Sequence, residues 1–584
     1  MRRLERHCRR SRVAIIAFAA SCLALSLGCH SKKRWTEEEG EVEQTWRPDS
    51  APAVPGVSAE ALRSAITSRL GSSAPNGVRP EDWRSAKSLY RSYGGVPLWF
   101  RDGKLDARAR ALVSEVAKAP THGFSVTSFP TSALNQALGA LHSSSQPTAD
   151  QIADADIVLS ATYVALAHDL LIGQIEPRSL NQDWHIDPHK VDVDSALAQR
   201  LQFEPLDRAI AQLRPADPDY DLLREQLDHY RELAKAGTWP RVPEGRKLKP
   251  GDSDARQRLE TLQQRLKAEG YLTQDASLAS RNDSGTVDST RALYDDALAG
   301  AVANFQAHHG IVVDSILGNE TVASLNVPLS YRVGQLAANL ERFRWLPRDF
   351  GSRYILVNVP AFRLDAFDSG QKALEMKVIV GAEYENRNTP VFSDSMQYVV
   401  FRPYWLVPDA IAAKEIWPKA EADPSYLERN NYEVYDDHGQ QRVRQRPGGK
   451  NSLGFVKFLF PNDFNVYLHD TPQDELFEKD VRAFSHGCIR LEKPADLAQW
   501  VLGWPIDRVQ AAMQSGPDDK TVMLPRKIPV YIVYFTTYMR DGQLFFGNDL
   551  YDRDNALVKQ LADAAMPSAD ELQLIQHIEQ LAGS

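Results

Sequence analysis

One cysteine and two histidines are the residues of this chain whose types and spacing suit nucleophilic chemistry. Residues 485–488 are Ser-His-Gly-Cys, and a second histidine, His469, ends an apolar stretch shortly before them. A thiol attacks well only as a thiolate, and its ordinary pKa leaves most of it protonated at neutral pH. A nearby imidazole can take that proton and later protonate a leaving amine. The pattern therefore predicts that Cys488 is a nucleophile activated by a histidine.

Both histidines are candidates for the base. His486 lies close to Cys488 across a glycine turn, where the two side chains need not point together. His469 is expected at the end of a strand, from which it can face a cysteine across a sheet. The spacing alone leaves both assignments open. Zinc binding by the two histidines and the cysteine is the alternative, but the sequence offers no fourth ligand at a suitable spacing.

The glycine and the arginine beside Cys488 have predicted roles as well. Gly487 tolerates an unusual backbone dihedral angle. Its N–H, together with that of Cys488, is suited to form an oxyanion hole. Arg490 is a fixed cation suited to hold a carboxylate, with a structural ion pair as the alternative.

The distribution of cysteines adds weight to the prediction for Cys488. The chain has 584 residues and 4 cysteines, and the other three all precede His30. Several arginines followed by an apolar stretch from Val13 to Leu27 predict a secretion signal over residues 1–28, too short for a comfortable membrane span. Because exported proteins meet oxidising conditions that favour paired cysteines, a lone thiol kept there is expected to have a use. A buried, inert thiol is the alternative.

The end of the signal carries a second prediction. Residues 26–29 are Ser-Leu-Gly-Cys, which is similar to a lipoprotein-type box whose cysteine becomes the acylated first residue. Ser26 stands where that box prefers leucine. Two outcomes therefore stay open: lipidated Cys29 anchors the protein in a membrane, or Cys29 is removed with the signal. Residues 29–57 are polar and contain proline, which predicts a tether.

Size and charge limit the classes of function. A chain of this length is too long for one hydrophobic core, so several domains are expected. Its hydrophobic content of 43% and charged content of 25% are ordinary for a soluble globular protein. The net charge of -9 and the lack of a long basic run beyond the N-terminus argue against nucleic acid as a partner.

Helical patterns dominate the first half of the chain. Apolar residues recur at helical spacing from Ile152 to Leu170, and residues 58–236 are predicted to form a helical scaffold domain. Residues 237–249 contain prolines and charges and are expected to be a linker. Residues 551–584 are predicted to form a C-terminal helical tail.

Residues 252–328 resemble the small three-helix peptidoglycan-binding domain. The resemblance rests on Phe305-Gln306, on Gly310 after the helix, and on Thr-Val-Ala-Ser-Leu-Asn at 321–326. It implies contact with glycan strands. A helical spacer that binds no sugar is the alternative.

Strand patterns dominate residues 341–550. Short β-branched runs such as 354–359 predict a β-rich domain, sandwich-like or barrel-like. Residues 409–453 interrupt them with a polar, partly helical segment. Because a segment this long between strands is more often functional than idle, it is predicted to be a lid over the site. A surface insertion without a role is the alternative.

Taken in order, these motifs resemble the L,D-transpeptidases, in their large multidomain form from the Gram-negative periplasm. The resemblance rests on His469, on Ser-His-Gly-Cys-Ile-Arg at 485–490, and on the runs 389–392, 401–405 and 451–454. It implies a multidomain α+β protein with a mostly β, sandwich-like catalytic domain.

The resemblance also implies a role for each site residue and a substrate. Cys488 would be the nucleophile and His469 the proton donor and acceptor, oriented by a neighbouring backbone carbonyl. His486 and Arg490 would shape and support the site, and Tyr467 and Ser485 would line its pocket.

The substrates implied are peptidoglycan stem peptides. Cys488 would attack the carbonyl of the third residue of a tetrapeptide stem and release D-alanine. The side-chain amine of a second stem would then take the acyl group, giving a 3→3 crosslink without metal or cofactor. A hydrolase that uses water at the same site, an L,D-carboxypeptidase or a crosslink-cleaving peptidase, is the alternative.

Overall fold

The structure is a computed structural model. It describes residues 55–101, 104–180, 183–187, 192–202, 205–274, 288–382 and 388–583. The predicted signal, Cys29 and nearly all of the predicted tether lie outside the described residues.

Helices fill the N-terminal part of the described chain. Helices α1 to α9 are Ala59–Leu70, Pro80–Ser92, Ala107–Ala117, Thr131–His142, Ala149–Ile172, Pro177–Leu180, Val193–Leu201, Leu206–Ala211 and Pro218–Lys235. The short strands β1 to β3 are Phe100–Arg101, Lys104–Leu105 and Trp184–His185.

The central helix of this part, α5, starts at a strong sequence signal. Thr148 and Gln151 form a capping box at its N-terminus, which satisfies donors that a helix start leaves unpaired. Among the described helices, α5 is the one long and apolar enough to cross a membrane, but 89% of its apolar stretch is buried inside the protein. It is therefore a core helix.

The next module combines a small ladder with three helices. Strand β4 (Ser253–Ala255), helix α10 (Arg256–Ala268), strand β5 (Arg291–Leu293), and helices α11 (Asp296–His308) and α12 (Asn319–Leu325) follow one another. Their core contains Leu259, Leu262, Phe305 and Leu325, and it also takes in Val242 and Leu248 from the predicted linker. The linker segment is therefore packed onto the module that follows it.

Gln306, one of the landmarks of this module, organises the loop after α11. Its amide nitrogen donates to Asp314, to the Ile316 carbonyl and to Thr321, over 2.9 to 3.2 Å. Its amide oxygen accepts from the N–H groups of Asp314 and Ser315. The side chain therefore has a structural task and is 1% exposed.

Helix α13 (Leu329–Arg344) joins the helical part to the sheet, and the sequence left most of it unassigned. Glu341 accepts the N–H groups of Gln174 and Ile175, just beyond the end of α5, at 2.6 and 2.8 Å. Arg342 pairs with Asp554 at 2.6 Å on the C-terminal side. Both side chains are buried, so α13 links the segment after α5 to the C-terminal segment through its own polar groups.

The β-rich part is a single sheet whose strand pairing closes on itself. Strands β6 to β9 are Arg353–Asn358, Arg363–Asp368, Gln371–Gly381 and Val391–Phe401, and β13 to β17 are Val456–Leu459, Leu468–His469, Ala483–Ser485, Ile489–Leu491 and Lys520–Val533. The order is β13-β14-β16-β8-β7-β6-β17-β9, and β9 pairs again with β13. Strand β3 pairs with β9, and strand β15 pairs with β8. Helices α17 (Pro494–Leu502) and α18 (Ile506–Gln514) pack beside the sheet.

The predicted insertion forms a small subdomain of its own. Strand β10 (Trp405–Leu406) precedes it and pairs with β12 (Gln440–Gln445), which pairs with β11 (Tyr432–Asp437). Four short helical segments lie between β10 and β11. They are α14 (Asp409–Ile411), a π-helical turn at Ala412–Ile416, α15 (Trp417–Ala422) and α16 (Tyr426–Arg429). Val407, Ala412, Ile416 and Val443 form a separate apolar cluster.

The C-terminal segment returns to the other parts of the protein. The hairpin of β18 (Thr537–Arg540) and β19 (Gln543–Phe546) stacks Phe545 on His308, with ring centroids 4.4 Å apart. Helix α19 (Asp554–Ala565) packs on α13. Helix α20 (Ala569–Gly583) joins the scaffold core through Ile575, Ile578 and Ala582. The predicted tail is therefore part of the helical core that begins near the N-terminus.

Candidate active site

The strand register brings four predicted side chains to one face of the sheet. His469 on β14 is paired in parallel with Arg490 on β16. Side chains that are directly paired across a ladder point to the same face, and alternation along each strand turns Tyr467 and Cys488 to that face as well. The intervening residues, Leu468 and Ile489, are fully buried in the core on the opposite face.

His469 is held in one orientation by the backbone. Its Nδ1 lies 2.6 Å from the carbonyl oxygen of Asp470, so Nδ1 carries the proton and donates to that carbonyl. Nε2 is thereby left as an acceptor. Burial, with the positive charge of Arg490, lowers the pKa of His469 to about 3. The imidazole is therefore neutral and able to accept a proton.

Asp470 and Gly454 fix the carbonyl that orients this imidazole. The Asp470 carboxylate accepts the N–H groups of Phe455 and Thr471, both at 2.7 Å. Gly454 has φ +60, and a Cβ there would come within 2.3 Å of the Asp470 carboxylate. Only glycine meets both conditions. The glycine of the 451–454 run thus leaves room for a side chain that positions the base.

The Ser-His-Gly-Cys turn is held by the hydroxyl of Ser485. This hydroxyl accepts the N–H of Gly487 at 3.1 Å and donates to the carbonyl oxygen of Cys488. Gly487 has φ +109, a conformation that favours glycine. The predicted dihedral role of Gly487 therefore fits the structure.

Two predicted roles in this turn change. The Gly487 N–H is already bound by Ser485, so it is not free for an oxyanion. The N–H of Cys488 has no hydrogen-bond partner among the described residues and is the better candidate for binding the oxyanion. Ser485 is 2% exposed and holds the turn from within, so it does not line the pocket as expected.

Thr389 supports the same turn from a distant part of the sequence. Its hydroxyl donates to the Gly487 carbonyl at 2.9 Å and accepts the N–H of Gly381 at 3.0 Å. Its own N–H donates to the phenol of Tyr551 at 3.2 Å. In the sequence, the run 389–392 stands out only through the resemblance to the L,D-transpeptidases. No local signal points to the contact between Thr389 and Gly487.

Cys488 is half-buried, and its thiol is protonated at rest. Sγ lies 3.6 Å from the carbonyl oxygen of Asn465, to which it donates. Burial raises the pKa of Cys488 to about 11, although hydrogen bonds from the Tyr467 backbone and side chain and the charge of Arg490 act in the opposite direction. The predicted nucleophile is thus a thiol that must lose its proton during attack.

Two cations flank His469 on the same face. Lys457 on β13 is the antiparallel partner of His469, and Arg490 on β16 is its parallel partner. Arg490 donates to Gln473 at 2.6 Å, so it pairs with an amide and not with a carboxylate. A structural ion pair of Arg490, the alternative to a role in holding a carboxylate, does not occur among the described residues.

The insertion and the strand just before it each reach the site through one side chain. Glu415, on its π-helical turn, lies 2.8 Å from Nε2 of His486. Trp405, on β10, hydrogen-bonds the side chain of Tyr467. The two histidines therefore have separate partners. In the part of the chain that the structure describes, no three or more His, Cys, Asp or Glu side chains are arranged to hold a metal ion.

Three family models match this chain. Residues 352–532 match the L,D-transpeptidase catalytic domain, and residues 84–227 match the scaffold domain. Residues 255–325 match the model described as "Putative peptidoglycan binding domain". The matched order agrees with the order of the helical part, the small module and the closed sheet.

A curated relative carries the same family description as the catalytic-domain match. A protein of Haemophilus influenzae Rd, named "Putative L,D-transpeptidase", is 34% identical over 245 residues, which are 38% of this chain and 48% of that protein. The chain therefore spans about half the length of this curated relative.

Solved structures resemble the chain only weakly. An L,D-transpeptidase from Mycobacterium smegmatis has 14% identity, covers 31% of this chain and 58% of its own, and gives a TM-score of 0.18. An L,D-transpeptidase from Xylanimonas cellulosilytica has 15% identity, and the match covers 50% of this chain and 99% of that one. Its TM-score is 0.14. Scores of this size support no further statement.

The face shared by Tyr467, His469, Cys488 and Arg490 lies within the segment that matches the L,D-transpeptidase catalytic domain. The protein is multidomain and α+β, and the segments that match the scaffold domain and the putative peptidoglycan-binding domain precede the closed sheet.

Proposed function

We propose that the protein is a periplasmic transferase that forms 3→3 crosslinks between peptidoglycan stem peptides through an acyl-enzyme on Cys488. The observation that carries the proposal is the shared face of Tyr467, His469, Cys488 and Arg490, with Nδ1 of His469 bound to a backbone carbonyl. This arrangement has a nucleophile and a neutral base next to one another, without need of a metal or cofactor.

The first step is acylation by the donor stem. The thiol turns from the Asn465 carbonyl toward His469, and Nε2 takes its proton as Sγ attacks the carbonyl of the third stem residue. The N–H of Cys488 stabilises the oxyanion. Nε2 then protonates the amine of D-alanine as the carbon–nitrogen bond breaks, which leaves a thioester on Cys488.

The second step transfers the acyl group to an acceptor stem. The side-chain amine of the acceptor attacks the thioester carbonyl while Nε2 of His469 removes a proton from that amine. Collapse of the intermediate forms the amide and releases the sulfur, which regains its proton from His469. Each step returns the imidazole to its neutral form, in keeping with its low pKa.

The insertion is proposed to favour transfer over hydrolysis. It contacts the site through Glu415, and Trp405 on the strand just before it contacts Tyr467, so it can limit the entry of water to the thioester. Export to the periplasm rests on the predicted signal over residues 1–28 and on the class of the catalytic domain. Anchoring through lipidated Cys29 remains part of this proposal.

The decisive experiment is covalent labelling with a carbapenem, a β-lactam whose ring carbonyl acylates nucleophiles. Intact-mass measurement of the full mature protein is expected to find one adduct, located on Cys488 by peptide mapping. The Cys488→Ala variant is expected to take none. An adduct of equal yield in that variant would refute the assigned nucleophile.

A product assay separates transfer from hydrolysis. The enzyme is incubated with tetrapeptide stems, and the products are analysed by mass spectrometry. Dimers linked 3→3 with release of D-alanine support the transferase. Tripeptides alone would show that the same cysteine serves an L,D-carboxypeptidase, and loss of 3→3 dimers added to the assay would indicate a crosslink-cleaving peptidase.

A further inference from the structure

Lys457 is the cation beside His469 that no proposed step uses. It is the direct cross-strand partner of His469 on β13, and side chains so paired have their Cβ atoms roughly 4.5–5.5 Å apart. Alternation along β13 directs Val456 and Phe458 into the core and Lys457 to the catalytic face. The ammonium group therefore projects from the same surface as the base.

The ammonium group of Lys457 has no ionic or hydrogen-bonding partner among the described residues. Its other cross-strand neighbour is the apolar Val400. Asp519 is the carboxylate whose charge acts on it, but Asp519 forms no ion pair with it. Burial lowers the pKa of Lys457, which shows that its surroundings do not compensate for the lost water. A partly buried cation without a counter-ion is suited to an anionic ligand.

The second cation on this face is already engaged. Arg490 donates to Gln473, and its position is on the strand that carries Cys488. Lys457 lies on the opposite side of His469 from that strand. It is therefore next to the base and away from the nucleophile.

The chemistry of the leaving group indicates what anion reaches this point. His469 must approach the nitrogen of the departing D-alanine. In a C-terminal alanine a single carbon separates that nitrogen from the carboxylate. A carboxylate that accompanies the leaving nitrogen thus arrives beside the neighbours of His469.

We propose that Lys457 binds the terminal carboxylate of the donor stem and makes the enzyme select stems that end at the departing residue. The proposal rests on the proposed function, since it assumes that a D-alanine amine leaves near His469. Lys457 is then the residue that distinguishes a donor stem with a free C-terminal carboxylate from one whose end is amidated or extended.

The test compares two donors across matched variants of the full mature protein. One donor is a tetrapeptide stem with a free terminal carboxylate, and the other is the same stem with a terminal carboxamide. Release of D-alanine or D-alaninamide gives kcat/KM for each. The variants are Lys457→Met, Lys457→Arg and, as a control, Lys527→Met, which changes an exposed lysine on β17 of the same sheet.

The wild type and the Lys527→Met control are expected to prefer the free carboxylate by roughly ten- to a hundredfold in kcat/KM, the range of a charge-assisted hydrogen bond. Lys457→Met is expected to lose most of that preference, chiefly through KM, and to process the carboxamide donor almost as the wild type does. Lys457→Arg is expected to keep part of the preference because it keeps the charge.

Two outcomes would overturn the proposal. Lys457→Met could retain the full preference, or it could lose activity equally on both donors, which would indicate a role in the fold or in the state of His469. Neither outcome touches the proposed function, whose failure would appear separately as the absence of any acyl adduct on wild-type Cys488.

Discussion

The two reacting groups are both neutral before substrate binds. Burial raises the pKa of Cys488 to about 11 and lowers that of His469 to about 3. Proton transfer from thiol to imidazole is therefore unfavourable in the empty site. A thiol with a raised pKa carries little thiolate at neutral pH and is therefore less reactive toward alkylating agents and oxidants.

This state predicts how Cys488 reacts with iodoacetamide as pH changes. Because the thiolate is the reactive form and its pKa lies above the ordinary value, the rate is expected to rise about tenfold per pH unit from pH 7 to beyond pH 9. The measurement is loss of free thiol in the wild type. A plateau below pH 8 would instead indicate a preformed thiolate–imidazolium pair.

Thr389 provides a second prediction for single residues. Thr389→Val keeps the shape of this fully buried residue but removes the bonds to Gly487 and Gly381, at a cost of about 1–3 kcal/mol in stability. Carbapenem acylation of Cys488 is expected to slow at least about tenfold, since the turn loses its outer support. Thr389→Ser keeps the hydroxyl and is expected to restore most of the rate. Equal rates in all three proteins would exclude this positioning role.

The sequence could predict the reacting residues but not the residues that hold them. Cys488 and His469 follow from residue type, local order and family resemblance. The contact of Thr389 with Gly487 joins residues far apart in the chain, and no local pattern encodes it. The sequence likewise does not reveal that the Ser485 hydroxyl accepts the Gly487 N–H, which was predicted to bind an oxyanion.

Among the elements, the insertion between β10 and β13 has the clearest functional contact. Its small sheet and apolar cluster are separate from the main core. It meets the catalytic turn where Glu415 contacts His486, and these side chains are 36% and 29% exposed. A polar contact between side chains this exposed is worth less than about 1 kcal/mol. The contact can therefore open and close easily.

Glu415→Gln is expected to shift the insertion modestly toward opening. Losing the charged partner of His486 should speed alkylation of Cys488 by roughly two- to fivefold, the equivalent of less than about 1 kcal/mol. Hydrogen exchange across 409–453 is expected to rise in parallel. Glu421→Gln, an exposed change in the same insertion, is the control. If both variants behave alike, the contact does not hold the insertion closed.

Sequence patterns predicted strands but not their closure. The alternation of buried and half-buried residues on β13 or β7 is visible in the chain. Whether strands form two facing sheets or one closed sheet depends on pairings such as β9 with β13. Those pairings join distant segments, and periodicity carries no information about them. The sequence therefore left sandwich-like and barrel-like arrangements open.

At the scale of the whole molecule, the C-terminal helix shares one core with the first helices that the structure describes. Helix α20 contacts α3 and α4, and its Ile578 is fully buried. Helix α13 adds polar links between the end of α5 and Asp554. Helix α20 thereby completes the helical core that the scaffold helices begin.

Ile578→Ala is expected to destabilise the protein by about 2–5 kcal/mol, because it leaves a cavity in a packed core. Urea unfolding monitored by circular dichroism measures the change. Gln576→Ala alters an exposed position on the same helix and should have an effect below about 0.5 kcal/mol. Similar stability in both variants would show that α20 contributes little to the scaffold core.

The return of α20 to the first helices also sets an order of assembly. During synthesis the N-terminal helices emerge first and the residues that complete their core emerge last. Until then the apolar surfaces of α3 and α4 that meet Ile575 and Ile578 lack their cover. A chain cut short before residue 569 would keep its whole catalytic sheet and still present that apolar surface to proteases and chaperones. Protection of the scaffold core is thereby linked to synthesis of the polypeptide through α20.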